Sequence, residues 1–214
     1  MLLFKLLPLL LLYQTFSLAS EPYVDPQLVE KIALKYDRFA KKRFYYLQQT
    51  LDMANEEEDE EEKLELVNDF FNDVRYSSDM KIYHKKDYWA TPLEFLGRDR
   101  GDCEDYVISK YFALLYLGID AKKLFFTYVK STKFKAAHMV LTYFKTPHSE
   151  PLILDNNNRR IFPASKRKDL TPIYNFSGAS LYKASKKGKG KKATNHKTHK
   201  KWDELIKNMK RKKI

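Results

Sequence analysis

The sequence predicts an α+β domain, with helices first and an antiparallel meander after them. Two observations carry this. Between residues 27 and 71 apolar side chains recur at helical spacing, and from residue 124 onward short aromatic and aliphatic runs alternate with turn signals. One capped helical pattern joins the halves, and no internal repeat interrupts the order.

Along the chain, the first segment reads as an export leader. Lys5 precedes a short apolar run, Leu6 to Leu12, and Ser17-Leu18-Ala19 offers small residues for cleavage after Ala19. The run is short for a bilayer span, so a retained anchor is the weaker alternative. Pro22 to Pro26 follows as a linker. Residues 27–53 read as one helix with Leu28, Ile32, Tyr36, Phe39 and Phe44 as its apolar positions. An acidic run, Glu56 to Glu62, interrupts it as a solvated helix face or loop. Helical spacing resumes at Leu64, Leu66, Val67, Phe70 and Phe71.

Residues 80–101 read as a loop holding a short helix near Thr91–Leu96, with Pro92 in its first turn and Gly97 at its end. The next helix starts after Asp102, a natural N-cap, and ends at Gly118. Strands follow at 124–129, 137–144 and 152–155, then a turn at Asn156 to Asn158 and shorter extended pieces near 161–162, 173–176 and 181–182. In the second strand His138, Val140 and Thr142 share one face, with Met139, Leu141 and Tyr143 on the other.

At 214 residues the chain holds one domain, residues 20–182, plus a tail at 183–214. The net charge of +12 belongs to that tail, which carries 14 Lys and Arg against Asp203 and Glu204; the other 182 residues hold 26 bases and 26 acids. A neutral body on an exported chain argues against nucleic acid as a partner. Within the tail, residues 183–201 are too polar to build a core. Trp202, Leu205, Ile206 and Met209 recur at helical spacing among bases, which suits an anionic membrane surface or an acidic groove; a solvated, frayed end is the alternative.

The chemistry centres on Cys103, the one cysteine of the chain. At a helix start the unpaired N–H groups favour its thiolate. A nucleophilic cysteine also needs a base and a group to orient that base, and His138 and Asp155 on neighbouring strands are the candidates. Taken singly, each has a structural alternative: a core thiol, a strand histidine, a turn aspartate. Asp102, Glu104 and Asp105 beside the thiol should oppose its ionisation. Either they cap the helix, or Asp102 and Glu104 hold a hard cation, for which oxygen ligands favour Ca²⁺.

The stretch Asp87 to Leu96, continued by Gly101-Asp102-Cys103-Glu104-Asp105-Tyr106, is similar to the bacterial transglutaminase-like cysteine peptidases, more narrowly to the LapG-type periplasmic proteases. The likeness runs on through residues 137–141, 150–156, 163–165 and 169–174, about 64–183 in all. It implies a papain-like fold with a catalytic helix on an antiparallel sheet. Cys103 would be the nucleophile, His138 the general base and Asp155 its orienting partner, with Asp102 and Glu104 holding a required calcium ion and Asp105 assisting. It further implies a periplasmic endopeptidase that cuts the N-terminal region of a large surface adhesin and so governs biofilm attachment. Its regulator would be an inner-membrane cyclic-di-GMP receptor. The acidic run and the basic tail lie outside the matching motifs. Transglutaminase-type acyl transfer by the same residues, and a non-catalytic binding module, are the competing functions. The oxyanion hole is expected from the Cys103 backbone N–H and the Tyr88-Trp89 loop.

Overall fold

The structure, a computed structural model, describes residues 21–177, 180–183 and 200–211. The expected leader and the tail between 184 and 199 lie outside the described residues. The order is α1 (Pro26–Lys35), α2 (Arg38–Glu56), α3 (Glu60–Asn72), β1 (Arg75–Tyr76), α4 (Asp79–Tyr83), α5 (Pro92–Arg98), β2 (Arg100–Gly101), α6 (Cys103–Tyr116), β3 (Leu124–Ser131), β4 (Ala136–Tyr143), β5 (Leu152–Asp155), β6 (Asn158–Pro163), β7 (Leu170–Ser177), β8 (Ser180–Lys183) and α7 (Lys200–Arg211). The α+β class holds.

The single helix expected at 27–53 is two. Asp37 breaks it: its carboxylate accepts the Ala40 N–H at 2.6 Å and starts α2. The acidic run closes α2, and its last three acids fill the first turn of α3, where they suit the helix dipole. It is more than a solvated face, because Glu60 meets Lys123 at 2.7 Å and accepts the Tyr143 hydroxyl. The loop at 80–101 also holds most of α4 and ends in β2, which pairs in parallel with β1 ahead of the loop. Gly97 lies inside α5, which Asp99 ends in the left-handed conformation. The glycine serves packing instead: a Cβ there would stand 2.6 Å from the Tyr36 ring.

The sheet order is β6-β5-β4-β3-β7-β8, with the pairings antiparallel. The meander expected holds from β3 to β6, after which the chain crosses back to place β7 on the far side of β3. Helices α3 and α6 pack on one face of the sheet, where Met139, Leu141, Tyr143 and Leu154 join the main core. Val129, Val140 and Ile153 form a small cluster on the other face. The alternation read along β4 is therefore the one observed.

Helix α7 returns to this core and corrects the frayed-tail alternative for residues 200–211. Leu205 is 1% exposed, and the Trp202 ring stacks on Phe112 at 6.0 Å and meets Phe126 edge-on at 5.4 Å. Its apolar face is thus occupied by the domain itself, leaving Lys200, Lys207 and Lys210 outward. No described helix is long and apolar enough to cross a membrane.

Two stability measurements check this packing. Gly97→Ala should cost about 1–3 kcal/mol by urea denaturation, and much less in a Tyr36→Ala background, because the clash is with that ring. Leu205→Ala should cost about 2–4 kcal/mol; a loss under about 0.5 kcal/mol would mean that α7 is not part of the folded domain.

Candidate active site

Cys103 is the first residue of α6, and two acids shape the turn before it. Asp105, fully buried, accepts the Ala90 N–H at 2.8 Å and reaches back to the Asp102 N–H at 3.3 Å. Gly101 allows this, since a Cβ there would lie 2.5 Å from the Asp105 carboxylate and 2.4 Å from the Phe95 ring. Asp105 therefore ties the 88–91 loop to the helix start rather than touching a reacting atom. Tyr88 also donates its backbone N–H, to Asp79. In the same loop the Tyr88 and Ala90 amides are engaged, and the Trp89 ring stacks on Phe126 and Phe176 in the core.

The half-buried Cys103 thiol donates to Glu104 Oε2 at 3.1 Å, and the nearby Met139 backbone N–H acts on it in the direction of the thiolate. Met139 follows His138 on β4, so the sulfur sits one residue along the strand from the candidate base. His138 is buried, opposite Val129 on β3. Its Nε2 lies 2.8 Å from Asp155 Oδ1, at the last residue of β5. With Asp155 ionised, Nε2 carries the proton and donates it, which leaves proton exchange to Nδ1. Asp155 and Asn158 pair across a turn at Asn156 and Asn157, whose N–H bonds Asp155 Oδ1 at 2.9 Å. The structure thus joins His138 to Asp155 and sets Cys103 beside the same strand.

Asp155 is held from every side. Burial would raise its carboxyl, but the hydrogen bond and charge of His138, the Asn157 N–H and Arg167 outweigh it and hold it at about 2. Its backbone carbonyl accepts Asn72 Nδ2 at 3.1 Å. The Asn72 and Asn68 side-chain oxygens accept from Lys110 Nζ, at 2.7 and 2.8 Å. Burial pushes that fully enclosed amine down to about 7.

Asp79, Asp102 and Glu104 bring a carboxylate oxygen each to within 4.8 Å of one another. At that spacing each like-charged pair repels by roughly 3–4 kcal/mol at an effective dielectric of about 20. Burial pushes Asp79 up to about 6, and Asp102 rises further through burial and Glu104. Burial raises the Cys103 thiol strongly, reinforced by Glu104 and then Asp102. Asp79 Oδ1 and Asp102 Oδ1 are buried without a hydrogen-bond partner. Clustered hard oxygens, two of them orphaned, fit a divalent cation such as Ca²⁺. Of these residues sequence analysis found Asp102 and Glu104 but missed Asp79, which looks like an ordinary helix-start acid on a distant segment. It also missed Arg167, Asn157 and Lys110, whose partners are all remote or across a turn.

A cysteine opening a helix beside a histidine–aspartate pair on an antiparallel sheet is the layout of the papain and transglutaminase class of thiol hydrolases. The family model for bacterial transglutaminase-like cysteine proteinases matches residues 33–171, and the chain belongs to that family. Solved structures of Legionella pneumophila LapG agree. The calcium-bound form is 37% identical with a TM-score of 0.73, covering 87% of this chain and 99% of that one. The EGTA-treated form is 38% identical with a TM-score of 0.73, covering 88% and 99%. Among curated proteins none matches.

The low position of Asp155 sets a pH window. Its folded value lies below the ordinary carboxyl value of about 4, so its contribution, about 2–3 kcal/mol, is present above pH ~4 and lost as pH falls towards ~2. The stability difference between wild type and Asp155→Asn, from denaturant unfolding, should shrink across that window. A difference that stays constant from pH 5 to 2 would contradict the ion pairs.

Proposed function

We propose that the protein is a calcium-dependent cysteine endopeptidase of the periplasm that cuts the N-terminal region of a large surface adhesin. The observation that supports this most is the Nε2–Asp155 bond, which leaves Nδ1 of His138 for proton exchange beside the strand that meets the Cys103 sulfur. In the reaction, Cys103 Sγ attacks a peptide carbonyl as its proton passes to His138. His138 then protonates the leaving amine, and water activated by His138 splits the thioester. Asp79, Asp102 and Glu104 would hold a calcium ion, whose charge offsets these acids and favours the thiolate. The calcium-bound LapG structure, at 37% identity, supports that choice of metal.

The export leader and the cited family likeness are the grounds for a periplasmic location, an adhesin substrate and control of biofilm attachment through an inner-membrane cyclic-di-GMP receptor. Contact with an anionic membrane surface would fall to the outward bases of α7 and the basic stretch before it, since its apolar side is in use.

The test is cleavage of the N-terminal segment of a co-encoded large adhesin by purified protein, with calcium or with a chelator. Wild type with calcium should cut it, and Cys103→Ala should not. Asp79→Asn and Asp102→Asn should each weaken calcium binding in calorimetry at least about tenfold. Cutting that ignores the chelator would remove the metal from the account, and no cutting at all would remove the adhesin.

A further inference from the structure

A buried arginine closes the far side of the histidine–aspartate pair. Arg167 follows the short 3-10 turn Ala164–Lys166, and only 5% of it is exposed. Its Nη2 donates to Asp155 Oδ2 at 2.6 Å, and its Nε and Nη2 form a fork with Asp169 at 2.9 and 2.8 Å. Asp169 is anchored in turn, its carbonyl accepting the Thr132 N–H at 2.8 Å beyond the end of β3. Asp155 thus has one oxygen for His138 and the other for a guanidinium that cannot rotate away. A buried carboxylate without that partner could turn either oxygen to the imidazole and would act on it with its whole charge.

We propose that Arg167 is a positioning residue of the peptidase site: it fixes the Asp155 carboxylate so that Oδ1 alone serves His138, and it offsets the negative charge that His138 meets. The inference rests on the reading of His138 as general base. The fork to Asp169 makes the guanidinium geometry itself part of the role, so lysine should replace it only in part. Other charges near His138 are Lys133 from the β3–β4 turn, Lys166 and Asp169, which line one cavity with His138 and Asp155, and Lys110 behind Asp155. Of these only Asp169 loses a partner when Arg167 is replaced, and Asp169→Asn measures that share, so the remaining difference between variants reports Arg167.

The experiment is a ¹⁵N NMR titration of the His138 ring in full-length Cys103→Ala protein, which needs no substrate and stands whether or not the adhesin is cut. Adding Arg167→Met should move the His138 titration midpoint up by about one unit, a tenfold tighter hold on its proton. The Nε2–H form should also lose dominance. Arg167→Lys should restore the midpoint and only part of the tautomer preference, and Asp169→Asn, which leaves Asp155 untouched, should disturb the tautomer less than Arg167→Met. In proteins with Cys103 intact, kcat should fall more than tenfold for Arg167→Met with KM little changed. A midpoint and tautomer that match the parent in both Arg167→Lys and Asp169→Asn, and in any Arg167→Met protein that folds, would overturn the proposal. Arg167 would then be a packing residue.

Discussion

The start of α6 is crowded with negative charge, and most of the architecture around Cys103 answers that constraint. Asp79, Asp102 and Glu104 approach from two segments of chain, while Asp105 lies buried beneath them. Asp105 is satisfied by the Ala90 and Asp102 amides, a structural use of a carboxylate. The other three have no such set of donors, and two of their oxygens are orphaned. A helix dipole worth about half a charge does not balance them. Without a counter-charge the thiol stays protonated, so the same residues that forbid reaction also provide the means to switch it on.

Chemistry on the sheet side follows a different rule. His138 lies near the start of β4 and Asp155 ends the antiparallel β5, and the Asn156–Asn157 turn gives that strand end a fixed shape. Behind that turn, Lys110 and the two asparagines of α3 hold the Asp155 and Arg159 carbonyls. Burying an amine is costly, and here the cost is limited by two good hydrogen bonds and by a depressed affinity for its proton. Helix packing and active-site geometry therefore share the same atoms, which is why the hairpin cannot move without opening the core.

Much of this was legible in the sequence. Alternation along residues 137–144 gave both faces of β4 because one face is buried under helices and period two has no ambiguity there. Asp102, Cys103 and Gly118 bounded α6 because capping is local chemistry. The break at Asp37 was hidden, since apolar spacing continues across it and only the carboxylate–amide contact reveals the new helix. The return of β7 to β3 was hidden as well, because strand order depends on pairing and not on strand identity. Asp79 and Arg167 could not be found by spacing: each is an ordinary polar residue whose partners lie 23 and 12 residues away in the chain. The apolar positions of α7 were visible, but not the surface that they would cover.

The central claim is that the carboxylate cluster makes the nucleophile conditional on a cation. It is tested most directly by titrating the Cys103 thiolate through its ultraviolet absorbance, with Cys103→Ala as the blank. The measurement is made once with excess calcium and once with a chelator. The account predicts a midpoint lower by at least about two units with calcium. Equal midpoints in the two conditions would contradict it.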